Sequence, residues 1–544
     1  MDRMNYFPIP AQTLAGLLLE SALKWSDRVA IKFPGFAWTY GQLAGEALEV
    51  AKCLRGLGVG RGDHVGLLLP NGPDFLRAYF GVALASAVST TLNVRYRQAD
   101  LTYVIAKSNI RILVLSASHR DYFDFEGLVS ALIQEGRFPK LEKVVVLGAT
   151  DAGPFITEAH AAASAKNISA DAITKDLCCV SVKDPCSMLF TSGTTARAKA
   201  CVLSHEAIVR TASSWSQYGV RISEYDKVWN PNPLFHIGAL TTLVASISRG
   251  ACFLSMPYFD ADMAVDMLSS EDVSVFFPVF DSLAMAILDH RQSATVRTER
   301  IRYCFTIGNP TNIERMKAWL PQAHHFNVYG QTETSGWCIF NHNMAAPGGP
   351  AAGGYPIPGV EMKLGEVPTA TTQQGHSLGE ICIRSWCTMT EYYEDPQATA
   401  RAIDKDGWLH TGDLGWLGDD GSLNFHGRLG EMLKVGGENV APAELEELIG
   451  SHEAVRTAVV VGVMDPRLGE VPAAFIELNP GFELEEKEVF DFCNRQVARF
   501  KVPRYVRFVT SNEWPMSATK IQKFELRARL EREVFDANEI DEAT

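Results

Sequence analysis

The chain of 544 residues is longer than one hydrophobic core usually supports, which predicts at least two domains. Hydrophobic residues make up 47% and charged residues 21%, a balance that excludes a disordered or fibrous protein. The 50 lysines and arginines stand against 64 acidic residues, and the resulting net charge of −14 argues against a general nucleic-acid binder.

The amino terminus and the cysteines bear on the compartment. The first residues lack the basic-then-apolar order of a secretory signal, and no run approaches the ~20 apolar residues that span a bilayer. The 11 cysteines are scattered and lack zinc-ligand spacing, so we predict reduced thiols with structural roles. We therefore expect a cytoplasmic protein without a transmembrane segment.

Helical and strand patterns alternate through the N-terminal part of the chain. Thr13 is placed to cap a first helix, and residues 73–87 have the pattern of a crossover helix. Apolar runs at 64–70, 111–116 and 143–148 are typical of strands that are buried on both faces of a parallel sheet. The pattern predicts an α/β fold.

The α/β pattern resumes after residues 149–170, an alanine- and serine-rich stretch that we predict to be a surface connection. The segment at 343–359 is rich in glycine and proline and predicts an irregular, mobile loop. Between them lie further apolar strand patterns, at 187–190, 250–256, 273–279, 302–308 and 326–330.

The last hundred residues have a different organisation. Their patterns predict helix, strand, strand, helix and strand, which together form a compact α+β module. We place the boundary near Gly430, with an N-terminal domain at 1–429 and a small, mobile C-terminal domain at 430–544. The large N-terminal body is predicted to consist of α/β subdomains.

The stretch TSGTTARAKA (191–200) follows an apolar strand and has the composition of an anion-binding loop. Backbone N–H groups and hydroxyls around such a turn suit a phosphate, and Lys199 adds a point charge. A plain polar loop leading into a helix would look much the same. The interpretation therefore depends on other stretches.

Three further stretches carry residues suited to a nucleotide. In 327–336, Tyr329 offers a flat face for a purine, and Glu333 is a reasonable Mg²⁺ ligand between two threonines. Asp413 could accept hydrogen bonds from ribose hydroxyls, and Arg428 could donate to them. Lys520 lies in a turn near the C-terminus, and taken alone it reads as an exposed lysine.

Two other features have simpler explanations. GHSLG (375–379) matches the nucleophile elbow of serine hydrolases, but a polar segment precedes it and a strand pattern follows, so Ser377 is predicted in a turn. His236 is a lone histidine among apolar residues, and such histidines are usually packed in the core.

Taken together and in this order, the stretches resemble the adenylate-forming (ANL) superfamily, which includes acyl-CoA synthetases, stand-alone adenylation domains and beetle luciferases. The resemblance covers essentially the whole chain. It rests on PLFH (233–236), YGQTE (329–333), GWLHTGDLG (407–415), GR (427–428) and KVGGENVAPAELE (434–446).

The resemblance implies an AMP-forming carboxylate–CoA ligase. Such an enzyme activates a carboxylic acid, here expected to be fatty or otherwise apolar, as acyl-AMP with release of pyrophosphate. It then forms the CoA thioester and releases AMP. ATP and CoA would be co-substrates and Mg²⁺ the cofactor.

The resemblance also implies roles for individual residues. Glu333 would be the metal ligand and Lys520 the catalytic lysine, with Gly430 at the hinge. The acyl pocket would include His236, Gly238, Ala239 and Trp337, and the turn that admits CoA would be Gly436, Gly437 and Glu438. ATP would be bound by Thr191, Ser192, Gly193, Thr194, Thr195, Lys199, Gly308, Asn309, Pro310, Tyr329, Gly330, Gln331, Thr332, Asp413, Arg428 and Lys520.

Several positions depart from the family pattern. The phosphate loop has Ala196, Ala198 and Ala200 where glycine, proline and glycine are usual, Gly430 replaces an aspartate or lysine, and Thr519 replaces a glycine. Two alternatives therefore stay open: an acyl-AMP ligase that loads a separate carrier protein, and a nucleotide- or acyl-binding relative without turnover. The particular acid and the oligomeric state, homodimer included, are not determined by the sequence.

Overall fold

The structure is a computed structural model. It describes residues 12–541 except for short gaps at 121–123, 192–197, 308–309, 342–353, 372–375, 432, 436–437, 441, 466–467, 498 and 518–519. The chain falls into two compact units. The first comprises Met1–Thr306, Lys317–Met362 and Ile383–Leu409, and the second comprises Ile307–Met316, Lys363–Cys382 and His410–Thr544.

No single boundary in the chain separates the two units. The short segments 307–316 and 363–382 group with the C-terminal part of the chain. Residues 410–429 also belong to the second unit. The predicted boundary near Gly430 concerns a hinge, and it stays a prediction.

The α-helices vary from about two turns to about five turns. In chain order they are α1 Leu14–Trp25, α2 Tyr40–Gly56, α3 Pro73–Leu84, α4 Gln98–Lys107, α5 Phe125–Gln134, α6 Glu158–Ser164, α7 Ala170–Leu177, α8 His205–Ser214, α9 Ile237–Ser248, α10 Ala261–Ser270, α11 Asp281–Leu288, α12 Pro310–Trp319, α13 Pro396–Ala402, α14 Pro442–Gly450, α15 Glu486–Asn494 and α16 Lys523–Asp541.

The strands are mostly short. In chain order they are β1 Val29–Phe33, β2 Phe36–Thr39, β3 His64–Leu67, β4 Val88–Thr91, β5 Ile112–Ser116, β6 Lys143–Leu147, β7 Ile156–Thr157, β8 Pro185–Thr191, β9 Lys199–Ser204, β10 Lys227–Trp229, β11 Cys252–Leu254, β12 Val275–Phe280, β13 Tyr303–Ile307, β14 His324–Phe326, β15 Val328–Gln331, β16 Gly336–Phe340, β17 Tyr355–Pro356, β18 Glu361–Thr371, β19 Ser377–Arg384, β20 Glu391–Tyr392, β21 Leu409–Leu417, β22 Leu423–Arg428, β23 Leu433–Val435, β24 Glu438–Val440, β25 Val455–Asp465, β26 Gly469–Leu478, β27 Tyr505–Phe508, β28 Met516–Ser517 and β29 Lys520–Ile521.

Two large sheets form the first unit. The eight-stranded sheet has the order β20-β9-β8-β4-β3-β5-β6-β7, and the seven-stranded sheet has the order β14-β13-β12-β10-β11-β1-β2. Strands β3 to β8 pair in parallel, while β9 and β20 add an antiparallel edge. These parallel sheets confirm the α/β prediction, and the runs at 64–70, 111–116 and 143–148 are the strands β3, β5 and β6.

Two local predictions for the N-terminal part of the chain are confirmed, the cap of the first helix and the crossover helix. The Thr13 side chain accepts a hydrogen bond from the Gly16 amide and caps α1, as predicted. The predicted crossover helix is α3, whose residues from Phe75 to Leu84 are buried. Full burial on a helix or strand explains why the sequence shows continuous apolar runs rather than alternation.

The prediction for residues 149–170 was incomplete. This stretch contains β7, which extends the eight-stranded sheet, and α6. Glu158 at the start of α6 binds Arg77 of α3 through Nη2 and Oε2 at 2.9 Å. Alanine and serine conceal such a helix in sequence, because they give little amphipathic contrast.

The second unit includes two sheets. One has the order β18-β19-β21-β22, and the other joins β24, β23, β26 and β25 in that order, with β27 beside β26. The helices α14 and α15 and the strands β25, β26 and β27 confirm the element types predicted for the last hundred residues, whereas the helix α16 was not predicted. The α+β character follows from long antiparallel pairing between β25 and β26.

Other predictions have mixed outcomes. β19 begins at Ser377, so a strand follows where a nucleophile elbow requires a helix. Most of the glycine- and proline-rich segment lies outside the described residues, but its end forms β17, which pairs with β16.

All 11 cysteines are free thiols. Across the part of the chain that the structure describes, helices long and apolar enough to cross a bilayer are absent.

Candidate active site

The phosphate-loop candidate closes a hairpin. Strands β8 and β9 pair antiparallel, with Thr191 opposite Lys199 at the loop ends. Helix α8 begins only after β9, so the loop connects two strands and does not lead directly into a helix. Four predicted phosphate-binding residues lie outside the described residues: Ser192, Gly193, Thr194 and Thr195.

Lys199 and Glu333 both contact the side chain of Tyr392. The Tyr392 hydroxyl donates a hydrogen bond to Glu333 Oε1 at 2.8 Å. The Lys199 ammonium lies over the face of the Tyr392 ring, 4.9 Å from its centroid. Glu333 is only 8% exposed, and its charge adds to burial in raising the pKa of the Cys201 thiol. Sequence reasoning missed Tyr392, which lies 59 residues after Glu333.

The strand pair β15–β16 positions the segment from Tyr329 to Glu333. Gly330 has no room for a side chain, because a Cβ there would lie 1.8 Å from the Gly336 carbonyl oxygen. The turn after β15 is fastened by Thr334, whose hydroxyl accepts from the Gln331 amide at 2.9 Å. Tyr329 is half-buried at the adjoining position. Gly330 is therefore required, because the backbones of β15 and β16 approach each other closely at this position.

The predicted acyl-pocket residues include a close pair. A Cβ at Gly238 would lie 2.9 Å from Trp337 Cζ2, so the indole rests against the first turn of α9. The Trp337 ring also packs on Phe277, with 5.8 Å between the centroids. Ala239 is buried. Gly238 and Trp337 are thus neighbours, and their surroundings are aromatic and apolar.

His236 is the residue before α9 and is packed against Phe235, with 4.7 Å between ring centroids. Burial lowers the pKa of His236 to about 4, and the positive charge of Arg95 contributes in the same direction. The imidazole is therefore neutral near pH 7. A neutral, buried ring suits a pocket wall better than a proton donor.

Asp413 and Arg428 face each other on neighbouring strands. They are a register pair in β21 and β22, and Arg428 Nε lies 2.8 Å from Asp413 Oδ1. Asp413 is 3% exposed. The two residues that are predicted to bind ribose thus form an ion pair with each other.

The part of β21 that carries Asp413 is held by Glu380 of β19. Glu380 Oε1 accepts from the Gly412 amide at 3.0 Å, and Oε2 lies 2.7 Å from His410 Nδ1. The Thr411 hydroxyl donates to the Ile381 carbonyl at 2.7 Å and accepts from the Asp413 amide at 3.1 Å. Sequence reasoning missed Glu380, since a strand glutamate before an apolar run gives no local signal.

Lys520 begins β29 and pairs with Ser517 in a two-stranded ribbon. Lys523, at the start of α16, lies 2.7 Å from Glu431 and 2.9 Å from Glu446. Burial alone would lower the pKa of Lys523, but these two carboxylates raise it overall. Gly430 lies in the exposed turn just before Glu431.

The remaining predicted residues fall at the margins of what the structure describes. Gly308, Asn309, Gly436 and Gly437 lie outside the described residues. Pro310 begins α12, and Glu438 begins β24 opposite Val435.

Both the N-terminal and the C-terminal part of the chain match models of known protein families. The family model of AMP-binding enzymes matches residues 18–393, and that of the AMP-binding enzyme C-terminal domain matches residues 444–520. The 3-[(3aS,4S,7aS)-7a-methyl-1,5-dioxo-octahydro-1H-inden-4-yl]propanoyl:CoA ligase of Rhodococcus jostii (strain RHA1) is 30% identical over 507 residues, which cover 92% of this chain and 95% of that protein.

Two further relatives extend the comparison. The human mitochondrial medium-chain acyl-CoA ligase ACSF2 is 28% identical over 517 residues, covering 91% of this chain and 83% of that protein. The crystal structure of the anthranilate CoA ligase AuaEII in complex with anthranoyl-AMP has a TM-score of 0.81 at 25% identity, covering 96% of this chain and 98% of that one.

The chain belongs to the AMP-binding enzyme family, within the adenylate-forming superfamily. Its relatives are acyl-CoA synthetases and CoA ligases that align over almost the whole length. The protein is an ATP-dependent carboxylate–CoA ligase of the AMP-forming type. The resemblance seen in the sequence is thereby confirmed.

Proposed function

We propose that this ligase activates a fatty or other apolar carboxylic acid and that its motif residues hold Mg-ATP in the roles implied by the family. The observation that carries the assignment of roles is the contact of Lys199 and Glu333 with the same buried tyrosine, Tyr392. It holds a cation and a carboxylate beside the hairpin of the phosphate loop, which are the two charges that binding a metal–phosphate complex requires.

The donor set fits a magnesium ion. Glu333 supplies carboxylate oxygen, a hard ligand, and Mg²⁺ typically takes one or two carboxylates together with substrate phosphate and water. Glu333 would hold the metal through the oxygen that Tyr392 does not occupy. When bound, Mg²⁺ would neutralise charge on the phosphates of ATP.

The first half-reaction joins two anions. A carboxylate oxygen of the acid attacks the α-phosphate of ATP, the bond to the β-phosphate oxygen breaks, and pyrophosphate leaves. Lys199 would offset negative charge on the β- and γ-phosphates, and Lys520 would offset the charge that grows at the α-phosphate. Tyr329 would stack on adenine, and Asp413 with Arg428 would bind the ribose hydroxyls.

The second half-reaction transfers the acyl group. The CoA thiol, after losing its proton, attacks the carbonyl of acyl-AMP, and AMP leaves with the electrons of the former acyl–oxygen bond. Gly436, Gly437 and Glu438 would form the entrance for the thiol. Because Lys520 and this turn serve different steps, we propose that the C-terminal domain rotates about Gly430 between them.

The apolar character proposed for the acid rests on the predicted pocket. His236 is neutral near pH 7, because burial lowers its pKa to about 4. Gly238, Ala239 and Trp337 add small or aromatic surface, and Phe277 packs on the indole. Such a wall favours hydrocarbon or aromatic groups over a second charged group.

The test is pyrophosphate release with Mg-ATP across a panel of carboxylic acids, each with and without CoA. We expect release that depends on the acid, turns over repeatedly only with CoA, and is fastest for apolar acids. A single burst that CoA does not extend would contradict CoA as the acceptor. Fastest release with dicarboxylic or hydroxylated acids would contradict the proposed acid class.

A further inference from the structure

Tyr392 joins the two charged residues beside the phosphate loop. Its side chain is 6% exposed, its hydroxyl donates to Glu333 Oε1 at 2.8 Å, and its ring lies under the Lys199 ammonium. All three residues belong to the first unit. The tyrosine therefore contacts both charged residues of the proposed metal–phosphate site through two different parts of its side chain.

Backbone pairing fixes the position of this tyrosine. Strand β20 pairs antiparallel with β9, which places Tyr392 opposite Cys201. The Met389 amide donates to the Glu333 carbonyl at 2.8 Å, and the Tyr392 amide donates to the Thr399 hydroxyl at 3.0 Å. The segment is thus fastened both to the returning strand of the phosphate-loop hairpin and to the backbone of Glu333.

A carboxylate that serves as a metal ligand must present one oxygen in a fixed direction. A hydrogen-bond donor on the other oxygen restricts rotation of the carboxylate group and holds it in that orientation. Glu333 has such a donor in the Tyr392 hydroxyl. The phenol is neutral, so it can fix the carboxylate without neutralising the charge that a cation needs.

We propose that Tyr392 is a positioning residue of the ligase, whose hydroxyl holds Glu333 Oε1 so that Oε2 faces the divalent cation of Mg-ATP. The inference deepens the proposed function and rests on the metal-binding role of Glu333. The aromatic ring has a separate role. It attracts the Lys199 ammonium that lies over its face, and Lys199 stands at the end of the hairpin.

The hydroxyl is tested with Tyr392→Phe, which keeps the ring under Lys199. Tyr393→Phe is the matched control, since the neighbouring hydroxyl accepts from Asn109 at 2.9 Å and its ring packs edge-on against His64. Pyrophosphate release is measured while Mg²⁺ is titrated at constant ATP. We expect Tyr392→Phe to raise the half-saturating Mg²⁺ concentration about 10-fold, with the rate at saturating Mg²⁺ within about twofold of the unmodified enzyme.

Binding of Mn²⁺–ATP, followed by electron paramagnetic resonance, gives a readout that does not need turnover. Tyr392→Phe should weaken it about 10-fold, and Tyr393→Phe should not change it. Equal Mg²⁺ dependence and equal Mn²⁺–ATP binding in the two variants would overturn the inference. Melting temperatures identify any loss of binding that comes from unfolding.

A double-variant cycle checks that the hydroxyl acts through Glu333. In the Glu333→Gln background, Tyr392→Phe should weaken Mn²⁺–ATP binding no further, because the carboxylate that it positions is gone. A second, equal loss in the double variant would overturn the inference. If the unmodified protein bound Mn²⁺–ATP but released no pyrophosphate with any acid, the proposed function would fail while the effect of Tyr392 on binding would still be measured.

Discussion

Two glycines show how single positions constrain this site. At Gly330 an added Cβ would meet the Gly336 backbone oxygen, and backbone cannot move aside easily. At Gly238 the added Cβ would meet the edge of the Trp337 ring, which can shift. The first glycine is therefore a requirement of the strand pair, whereas the second leaves the shape of the proposed acyl pocket open to adjustment.

We expect Gly238→Ala to change the use of the acid and not of ATP. The methyl group would push the Trp337 indole from its position 2.9 Å away, so the KM for a bulky acid should rise several-fold at unchanged KM for ATP. Gly45→Ala in α2 is the control, because nothing lies within 4 Å of its Cβ position. Steady-state kinetics with acids of increasing size measure the effect, and equal KM values for all acids would contradict the proposed pocket.

For single residues, the sequence predicted the residues within motifs better than the residues that contact them. The motifs assigned Asp413 and Arg428 to the same ribose, and the structure places them opposite each other on neighbouring strands. Tyr392 could not be found in this way, because β20 has only two residues and gives no periodic signal. Its hydrogen bond to Glu333 depends on pairing between distant strands, which local patterns do not specify.

Among the elements, α3 and α6 are joined by an ion pair between the buried Arg77 and the partly buried Glu158. The Arg77 side chain is 9% exposed and binds Asp74 and Glu158, whose side chains are 16% and 30% exposed. Arg77 Nε donates to Asp74 Oδ1 at 2.8 Å within α3. Removing only the cation would leave two partly buried carboxylates without compensation.

We therefore expect Arg77→Met to lower the free energy of unfolding by about 3 kcal/mol. Denaturant unfolding followed by circular dichroism measures this loss. Arg291→Met is the control, because that side chain is 81% exposed and its closest carboxylate lies 4.0 Å away. Equal unfolding midpoints for the two variants would show that the α3–α6 ion pair contributes nothing to stability.

The start of α1 depends on a neutral histidine. The Leu14 amide donates to His205 Nδ1 at 3.1 Å, and burial lowers the pKa of His205 to about 4, with Asp184 acting weakly in the opposite direction. The unfolded chain takes up this proton at about pH 6.5, but the folded chain does so only near pH 4. The unfolded state thus binds more protons in this window.

Stability should consequently fall as the pH is lowered from about 6.5 towards 4, and His236 contributes in the same direction. We expect His205→Gln to reduce the loss, since the amide oxygen can still accept from Leu14 and does not titrate. Unfolding midpoints at pH 7.5 and 4.5 test this, with the exposed His376→Gln as the control. An equal fall in both variants would exclude His205 as a source.

For the molecule as a whole, the proposed domain rotation separates the two half-reactions. Lys520→Ala should slow acyl-AMP formation roughly 100-fold yet spare thioester formation from supplied acyl-AMP. Gly437→Trp should do the reverse and block CoA transfer while pyrophosphate release continues. Pyrophosphate and thioester assays on both variants measure the halves separately. Equal loss of both halves in Lys520→Ala would contradict its assigned role.

The sequence predicted the α/β body, the α+β module and the order of their elements, because these follow from local patterns. It did not predict that the compact units interleave along the chain, with 307–316 and 363–382 grouped with the C-terminal part. Composition changes gradually along a chain, whereas compact units are set by pairing and packing between residues far apart in sequence. The boundary near Gly430 describes a hinge between domains, and it stays a prediction.

The late arrival of β20 has a consequence for synthesis. At about 5 to 20 residues per second, the ribosome adds Tyr392 roughly 10 to 40 seconds after it completes β9 at Ser204. Until then, β9 of the nascent chain lacks the neighbour that completes its edge of the eight-stranded sheet. An open strand edge invites pairing with other chains. During this interval the growing protein is exposed to aggregation at the hairpin of β8 and β9.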